Sequence, residues 1–157
     1  RAAVGSLTIT PDGPRGPRRR LAPGCVFLAS TLGIPIVVMG LGFDRPWRFG
    51  TWDRFALPRP WSRARGMVSR GIAVPPNLDR DGIEVYRLGI ETLLTHLSDA
   101  SEAWAVNGGR RAGQQGVRKE PSRVATRMAA EPGDPGVSLR EELERHGLAV
   151  AGPRAAA

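Results

Sequence analysis

The sequence has little of what builds disulfides, metal sites and thiol chemistry. Cys25 is the only cysteine, and the two histidines, His96 and His146, do not have metal-ligand spacing. An intrachain disulfide is therefore excluded, and a structural zinc site would have to form almost without thiolates. Cys25 lies in an apolar run, where we expect a small core residue. We expect neither a metal nor another bound cofactor.

The sequence also lacks the motifs of several self-contained enzymes. It contains no Walker phosphate loop and no Gly-x-Ser-x-Gly nucleophile elbow. The run GLGFDR at 40–45 begins like a dinucleotide-binding fingerprint but lacks the third glycine. No catalytic residue is therefore assigned within these 157 residues.

Negative charge is scarce in the first half of the chain. Residues 1–70 carry twelve arginines against three aspartates, a net charge of +9, whereas residues 71–106 carry a net charge of −4. Arginine suits two-point contacts with phosphate, although a GC-rich genome produces the same arginine bias. The basic half indicates a phosphate-bearing partner, which could be a phosphorylated ligand, an anionic lipid or a nucleic acid.

Apolar patterns in the first 43 residues predict an α/β fold. SLTIT at 6–10 alternates as a strand does, and LAPGCVFLASTLG predicts a short helix that begins near Pro23 and ends at Gly33. The run IPIVVMGLGF at 34–43 has the composition of a strand buried on both faces of a parallel sheet. Strand, helix and strand together predict a right-handed βαβ unit.

A transmembrane helix is the alternative interpretation of residues 21–43. This stretch has no charged residue and follows three arginines, which is the pattern of a span with a positive inner flank. Pro23 and the Gly33-Ile34-Pro35 break interrupt such a helix and favour a helix followed by a strand.

The segment 44–68 interleaves tryptophan and phenylalanine with arginine. Its rings could cover a sheet edge in a solvated hairpin, or stack on arginine for purely structural reasons. The functional alternatives are a membrane-interface patch and a platform for single-stranded nucleic acid. Residues 64–75 predict a further strand pair or a bulged strand.

The remainder of the chain divides into one strong helix and a tail. An apolar stripe with three- and four-residue steps predicts a long helix over about 79–106, and His96 beside that stripe is expected to be structural. Residues 107–157 are rich in Gly, Pro, Arg, Glu and Ala and predict a disordered, low-complexity tail. Within it, SLREELERHG predicts a short helix over 138–146.

The loop TPDGPRGPRRR at 10–20 is the candidate binding site. Gly13 permits a sharp turn, the adjacent prolines stiffen it, and Arg15 is presented as a guanidinium fork that Asp12 can orient. The N-terminus of the following helix adds a partial positive charge and free amides. The loop thus predicts an anion clamp, and the alternative is a basic surface loop with a merely structural Asp–Arg pair. A flanking arginine such as Arg19 is expected to contribute mainly a diffuse field.

Four segments of this chain resemble the glycerolipid and lysophospholipid acyltransferase superfamily, and they are closest to its bacterial domain-of-unknown-function branch linked to secondary acylation of lipid A. The segments are TPDGPRGPRR, the helix containing LAS, GIPIV at 33–37 and WDRFALPRPWSRA at 52–64. The resemblance runs from about Ser6 to Trp104. The wider superfamily has Glu in place of Asp12 and Thr in place of Pro14, and both differences are usual in the closer branch.

The resemblance implies an O-acyltransferase that moves a fatty acyl group from acyl-carrier protein or coenzyme A, as co-substrate, to a hydroxyl of a phosphorylated lipid. The acceptor would be a lysophospholipid or a lipid A-type glycolipid. Asp12, Gly13 and Arg15 would bind its phosphate, and Pro35 would shape the adjoining strand of the substrate site.

The catalytic pair of that superfamily, a His and an Asp separated by four residues, is missing from this chain. In the family it lies upstream of the strand with which this chain begins, and its His acts as the general base. His96 and Asp99 have the wrong spacing. Because the chain also opens on Arg1 without an initiator Met, we expect a fragment or a gene read from too late a start.

The expected architecture is therefore the C-terminal part of an αβα acyltransferase-like domain, with a mixed or parallel sheet, at 1–106, followed by the tail at 107–157. The expected partners are the phosphorylated lipid acceptor, the acyl thioester and an anionic membrane surface. The expected location is peripheral, at the cytoplasmic face of the bacterial inner membrane. The rival hypothesis is a non-catalytic basic module that binds nucleic acid or anionic lipid.

Overall fold

The computed structural model describes residues 7–12, 16–116 and 136–149, and within them the chain is a mixed α/β structure with three helices and two small antiparallel sheets. Strand β1 pairs with β4, β2 pairs with β3, and α2 packs across the first of these sheets. The elements in chain order are α1 (Gly24–Leu32), β1 (Met39–Phe43), β2 (Pro46–Arg48), β3 (Ala56–Pro58), β4 (Ala64–Val68), α2 (Arg80–Asn107) and α3 (Leu139–Arg145).

Helix α1 begins and ends where the sequence predicts. Pro23 occupies the N-cap position, and Gly33 ends the helix in the left-handed conformation at φ 64°, with its N–H donating to the carbonyl of Ala29. Glycine adopts this conformation without the steric cost that a side chain would bring. Cys25 is half-buried against the core, and burial raises the pKa of its thiol.

Helix α2 confirms the predicted long helix. The Asp79 carboxylate caps its first turn by accepting from the N–H of Gly82 at 2.8 Å, which satisfies one of the amides that a helix start leaves without a partner. Gly108 ends the helix in the left-handed conformation. The helix contributes a buried apolar stripe to the centre of the core: Ile90, Leu93, Leu97 and Trp104.

The predicted parallel βαβ unit is wrong. Strands β1 and β4 form an antiparallel ladder that runs from Met39↔Val68 to Phe43↔Ala64, and residues 7–10 form no strand. The run 34–43 is apolar on both sides, which is typical of a strand covered on both faces, but α2 covers only one of them. Met39 and Leu41 point away from α2 and are about half exposed.

Two glycines allow α2 to lie directly on β1. A Cβ atom at Gly40 would come within 3.0 Å of backbone atoms of Leu97, and one at Gly42 would do the same against Ser101. The Ser101 hydroxyl donates to the carbonyl of Gly40 at 3.1 Å. The strand and helix backbones therefore touch at positions where only glycine fits.

Helix α3 joins the core from the far end of the chain. Leu139 and Leu143 are buried, and Glu142, which is also fully buried, accepts hydrogen bonds from the backbone and the guanidinium of Arg70 at 3.2 Å and 3.0 Å. Residues 136–149 thus pack on the folded body, and α3 lies where the sequence predicts a short helix within the low-complexity tail. The average composition of residues 107–157 does not indicate that Leu139 and Leu143 dock on the core. A short amphipathic helix needs such apolar residues in order to dock.

None of the helices within the three described ranges is long and apolar enough to cross a bilayer. Residues 21–43, the stretch with the transmembrane interpretation, form α1 followed by β1. The other parts of the predicted tail, residues 117–135 and 150–157, lie outside the described residues.

A histidine pair connects α2 to the end of α3. The rings of His96 and His146 lie 5.4 Å apart in an edge-to-face arrangement, and Nε2 of His146 is 3.5 Å from the Glu142 carboxylate. Burial lowers the pKa of His146 below its ordinary value, Arg145 and His96 lower it further, and Glu142 acts in the opposite direction. The unfolded chain therefore binds a proton at His146 more readily than the folded chain, and acid weakens the docking of α3.

We expect the free energy of unfolding to fall as the pH is lowered through the histidine range. The unfolded pKa of His146 is 6.5 and the folded one is lower, so stability is highest above that value and declines toward the folded pKa. Glu142, whose pKa lies below 4.5, contributes only in stronger acid. Between about pH 7.5 and about pH 5.5, urea unfolding should show a smaller decline for His146→Gln than for wild type. Parallel pH profiles for the two proteins would contradict this role.

Candidate anion-binding loop

The loop that precedes α1 is held together by hydrogen bonds across its base. The N–H of Ala22 donates to the carbonyl of Pro11 at 3.0 Å, and the N–H of Arg19 donates to Oδ2 of Asp12, also at 3.0 Å. Asp12 is half-buried, and its carboxylate closes the loop by accepting from a backbone N–H seven residues further along the chain. The two ends of the segment 12–19 are therefore fixed close to each other, directly before the start of α1.

The four predicted site residues are not all placed together. Gly13 and Arg15 lie outside the described residues, and the pairing of Arg15 with Asp12 stays a prediction. Pro35 is half-buried beside Gly71, just after the end of α1. Asp12 is hydrogen-bonded to the segment before the start of α1, whereas Pro35 follows its end, and the nine residues of that helix span about 13 Å. The structure thus does not bring Pro35 next to Asp12.

Arg19 fastens the loop to α2. Its guanidinium pairs with both oxygens of the Asp99 carboxylate, at 2.5 Å and 3.3 Å, and its backbone adopts a left-handed φ of 63°. This two-pronged pairing fixes direction as well as distance. Arg19 therefore has a specific carboxylate partner on α2, in addition to the diffuse field that the sequence predicts.

A buried arginine on α2 holds the residue that follows the loop. The N–H of Leu21 donates to Glu91 at 2.7 Å, and the carbonyl of Leu21 accepts from Arg87 at 3.3 Å. Arg87 also pairs with Glu84 at 2.7 Å and with Glu91 at 2.6 Å. The hydrogen bond with Glu84, together with the charge of Glu91, raises the pKa of Arg87. These partners are necessary, because a buried guanidinium without them would be costly.

Sequence reasoning missed Arg87 and Glu91 as parts of this site. Glu84, Arg87 and Glu91 have the three- and four-residue spacing at which helical side chains pair, and that spacing predicts their mutual contacts. It does not predict that the same cluster binds both backbone groups of Leu21, because a tertiary contact between distant segments leaves no periodic pattern.

The tip of the β2–β3 hairpin rests on the same loop. The ring of Trp52 lies over Gly16, where a Cβ atom would come 2.6 Å from Cε3 of Trp52 and where φ is +67°. Next to it, the Asp53 carboxylate accepts from the Thr51 hydroxyl at 2.5 Å. This hydrogen bond lowers the pKa of Asp53 against the effect of desolvation, and the charge of Arg18 in the loop lowers it further. Two segments that are far apart in the sequence are therefore neighbours.

The described part of the site contains groups that can bind an anion but no histidine that can act as a general base. Asp99 pairs with Arg19, while His96 contacts His146, so these two α2 residues do not form a catalytic pair. Among residues 7–12, 16–116 and 136–149, no group of three or more His, Cys, Asp or Glu side chains could hold a metal ion.

The start of α1 and the exposed Arg20 give the loop a positive environment. Helix α1 has no side-chain cap, so its first turn leaves backbone amides available as hydrogen-bond donors just after the loop. Exposed guanidinium groups and free backbone amides are donors of the kind that an anion such as phosphate accepts. Searches for similar proteins found no matching family model, no matching curated protein and no matching solved structure.

Proposed function

We propose that this chain is the acceptor-binding, C-terminal part of an O-acyltransferase domain. The intact protein would transfer a fatty acyl group from acyl-carrier protein or coenzyme A to a hydroxyl of a phosphorylated lipid, either a lysophospholipid or a lipid A-type glycolipid. Asp12, Gly13 and Arg15 would bind the acceptor phosphate. The enzyme would work as a peripheral protein at the cytoplasmic face of the bacterial inner membrane.

One contact carries this proposal. TPDGPRGPRR and WDRF, the two segments that most specifically resemble the acyltransferase family, meet where Trp52 packs over Gly16. A chance resemblance in two separate segments gives no reason for them to be adjacent in space. A shared substrate site does, because its residues come from different loops of one scaffold.

The outer face of the β1–β4 sheet supports the αβα architecture of the proposal. Helix α2 covers one face of this sheet, and the other face presents Met39, Leu41 and Val68, each about half exposed. An apolar sheet face that carries no charge is typical of a layer that packs against another protein layer. In an αβα domain, helices from elsewhere in the domain would cover it.

An activity assay tests the proposal. The 157-residue chain alone should not transfer acyl groups from an acyl thioester to a lysophospholipid, because the general base is proposed to lie upstream. The reading frame upstream of codon 1 should continue in frame and encode a His and an Asp separated by four residues. The longer protein should be active, and replacing that His by Ala should abolish transfer. Turnover by the short chain, or an upstream frame without the pair, would contradict the proposal.

The second candidate function is a non-catalytic basic module that binds nucleic acid or anionic lipid. It is favoured by two of the arginines in the hairpin segment, Arg54 and Arg59, for which the described ranges show no ion pair. A longer protein that binds phosphorylated lipid but lacks the upstream catalytic pair would support this candidate over the first.

A further inference from the structure

The β2–β3 hairpin presents an aromatic face to solvent. Trp47 is opposite Leu57 in the ladder, and the pairing continues to Phe49, whose N–H donates to the carbonyl of Phe55 at 3.1 Å. Because side chains alternate along a strand, these four side chains share one face. Each of them is between 39% and 55% exposed, although most large apolar side chains in a folded chain are buried.

The aromatic face points away from α2. Arg48 lies on the opposite face of β2, where its guanidinium pairs with Glu102 of α2 at 2.9 Å. The base of the hairpin is closed by Asp44, which accepts from the backbone and Nε of Arg63 at 2.8 Å and 3.2 Å. Burial would raise the pKa of Asp44, but these hydrogen bonds lower it. The hairpin is thus attached to the body at its inner face and its base, while its aromatic face stays open.

Unpaired positive charge and strained backbone accompany this face. The guanidinium of Arg59 lies over the ring of Trp47, 5.7 Å from its centroid, and Arg54 at the hairpin tip has a φ of 49°. Trp61 is 94% exposed and has a φ of 65°. A large ring held in the left-handed region with almost no packing stabilises nothing in this fold, and such strain is concentrated at functional positions.

We propose that this hairpin docks on an anionic phospholipid bilayer, with its aromatic face at headgroup depth and with Arg54 and Arg59 on lipid phosphates. Tryptophan and arginine both favour that depth, because each has an apolar body and a polar end. The positive charge of the hairpin complements the negative surface of such a membrane. The outer face of the β1–β4 sheet carries no charge and lacks this complementarity. We therefore assign a lipid surface to the hairpin and a protein layer to the sheet face.

The ring geometry favours lipid over single-stranded nucleic acid. Phe49 and Phe55 stack on each other with centroids 6.3 Å apart and an interplanar angle of 27°, and Trp47 is covered on one side by Arg59. Nucleic-acid platforms need free ring faces on which successive bases stack. Rings that are paired in this way can still enter a bilayer interface, because insertion there does not require a free ring face.

The docking proposal extends the proposed function to the membrane surface. It depends on the proposed function only for the identity of the ligand that binds in the loop. Because Trp52 at the hairpin tip packs on Gly16, a docked hairpin brings Gly16 toward headgroup depth. The phosphate of a lipid acceptor lies at that depth, so the acceptor can reach the loop without leaving the membrane.

Vesicle binding by the 157-residue chain tests the proposal. Sedimentation with phosphatidylcholine vesicles containing about 30% phosphatidylglycerol should show binding at about 0.1 M KCl and release at about 1 M KCl. Each arginine at an anionic surface is worth about fivefold in partitioning, so Arg54→Gln/Arg59→Gln should bind roughly 25-fold more weakly. The matched control Arg110→Gln/Arg140→Gln, which removes two exposed arginines elsewhere, should retain most of the binding.

A second variant keeps the test independent of folding. Phe55→Ala should weaken vesicle binding, and its urea midpoint of unfolding should fall no further than that of a matched control, because this ring of the aromatic face is 55% exposed. Phe27→Ala, an exposed ring on α1, is its control. The proposal is overturned if the hairpin variants bind like their controls, if phosphatidylcholine alone binds equally well, or if single-stranded oligonucleotide binds more tightly at matched salt. None of these results depends on acyl transfer, so they leave the activity test of the proposed function separate.

Discussion

Gly40→Ala is expected to destabilise this protein by more than about 3 kcal/mol, the upper range for forcing one extra methyl group into a packed core. The new Cβ would meet backbone atoms of Leu97, not the flexible end of a side chain. Strand β1 and helix α2 would therefore have to separate, which also removes the hydrogen bond from Ser101 to Gly40. Urea unfolding followed by circular dichroism measures the loss.

Gly66→Ala is the matched control for this prediction. Gly66 lies on the partner strand β4, and a Cβ there would face Cδ2 of Leu41 at 3.3 Å, a side-chain atom on the half-exposed outer face. That contact relaxes by rotation of the leucine, so we expect a change of less than about 1 kcal/mol. Equal urea midpoints for the two variants would show that α2 does not rest on the backbone of β1.

Arg15→Lys is expected to be nearly as damaging as Arg15→Ala in the complete enzyme. Lysine keeps the charge but loses the planar fork that contacts phosphate at two points and that Asp12 is predicted to orient. Loss of such a charge-assisted bond costs roughly 1.5–3 kcal/mol, which is about ten- to a hundredfold in kcat/KM if the contact strengthens in the transition state. The measurement is the acyl-transfer rate with a phosphorylated lipid acceptor.

Arg20→Ala is the control that the structure selects for this experiment. Arg19, the neighbour in the sequence, is unsuitable because its side chain pairs with Asp99, so its loss would remove a contact of the loop as well as a charge. Arg20 is exposed and lies near Glu84, so its removal changes net charge with little effect on geometry. Equal losses at Arg15 and Arg20, both relieved at low salt, would mean that the loop acts through net charge and that no clamp exists.

The helices could be predicted from the sequence because their information is local. The caps of α1 and α2, and the apolar stripe that includes Leu93 and Leu97, lie within single segments. The sheet could not be predicted in the same way. Apolar residues on both sides of β1 indicate that another layer covers each face, but the sequence does not say whether that layer belongs to the same chain. Gly40 and Gly42 indicate that another backbone lies close to β1, but they do not identify it as α2.

The candidate site was predictable in part for the same reason. TPDGPRGPRRR identifies a rigid basic loop from its own residues, and the start of α1 confirms its place before a helix. The supports of the loop come from α2, where Arg87 and Asp99 look like ordinary surface charges in the sequence. Their role depends on which distant backbone lies beside them, and this is a property of the packed chain.

Helix α2 contacts the loop, the β1–β4 sheet and the β2–β3 hairpin. The number of residues between these contacts is therefore as important as the identity of the residues that make them. Glu91 and Asp99 hold the loop, Leu97 contacts β1, and Glu102 holds the hairpin. Each residue of an α-helix advances the direction of the side chain by about 100°. One residue inserted between Glu91 and Leu97 would rotate the later contacts by more than a quarter of a turn while leaving the first in place. Substitutions in this helix can be accommodated one at a time, but insertions and deletions would put the loop and the hairpin out of phase with each other.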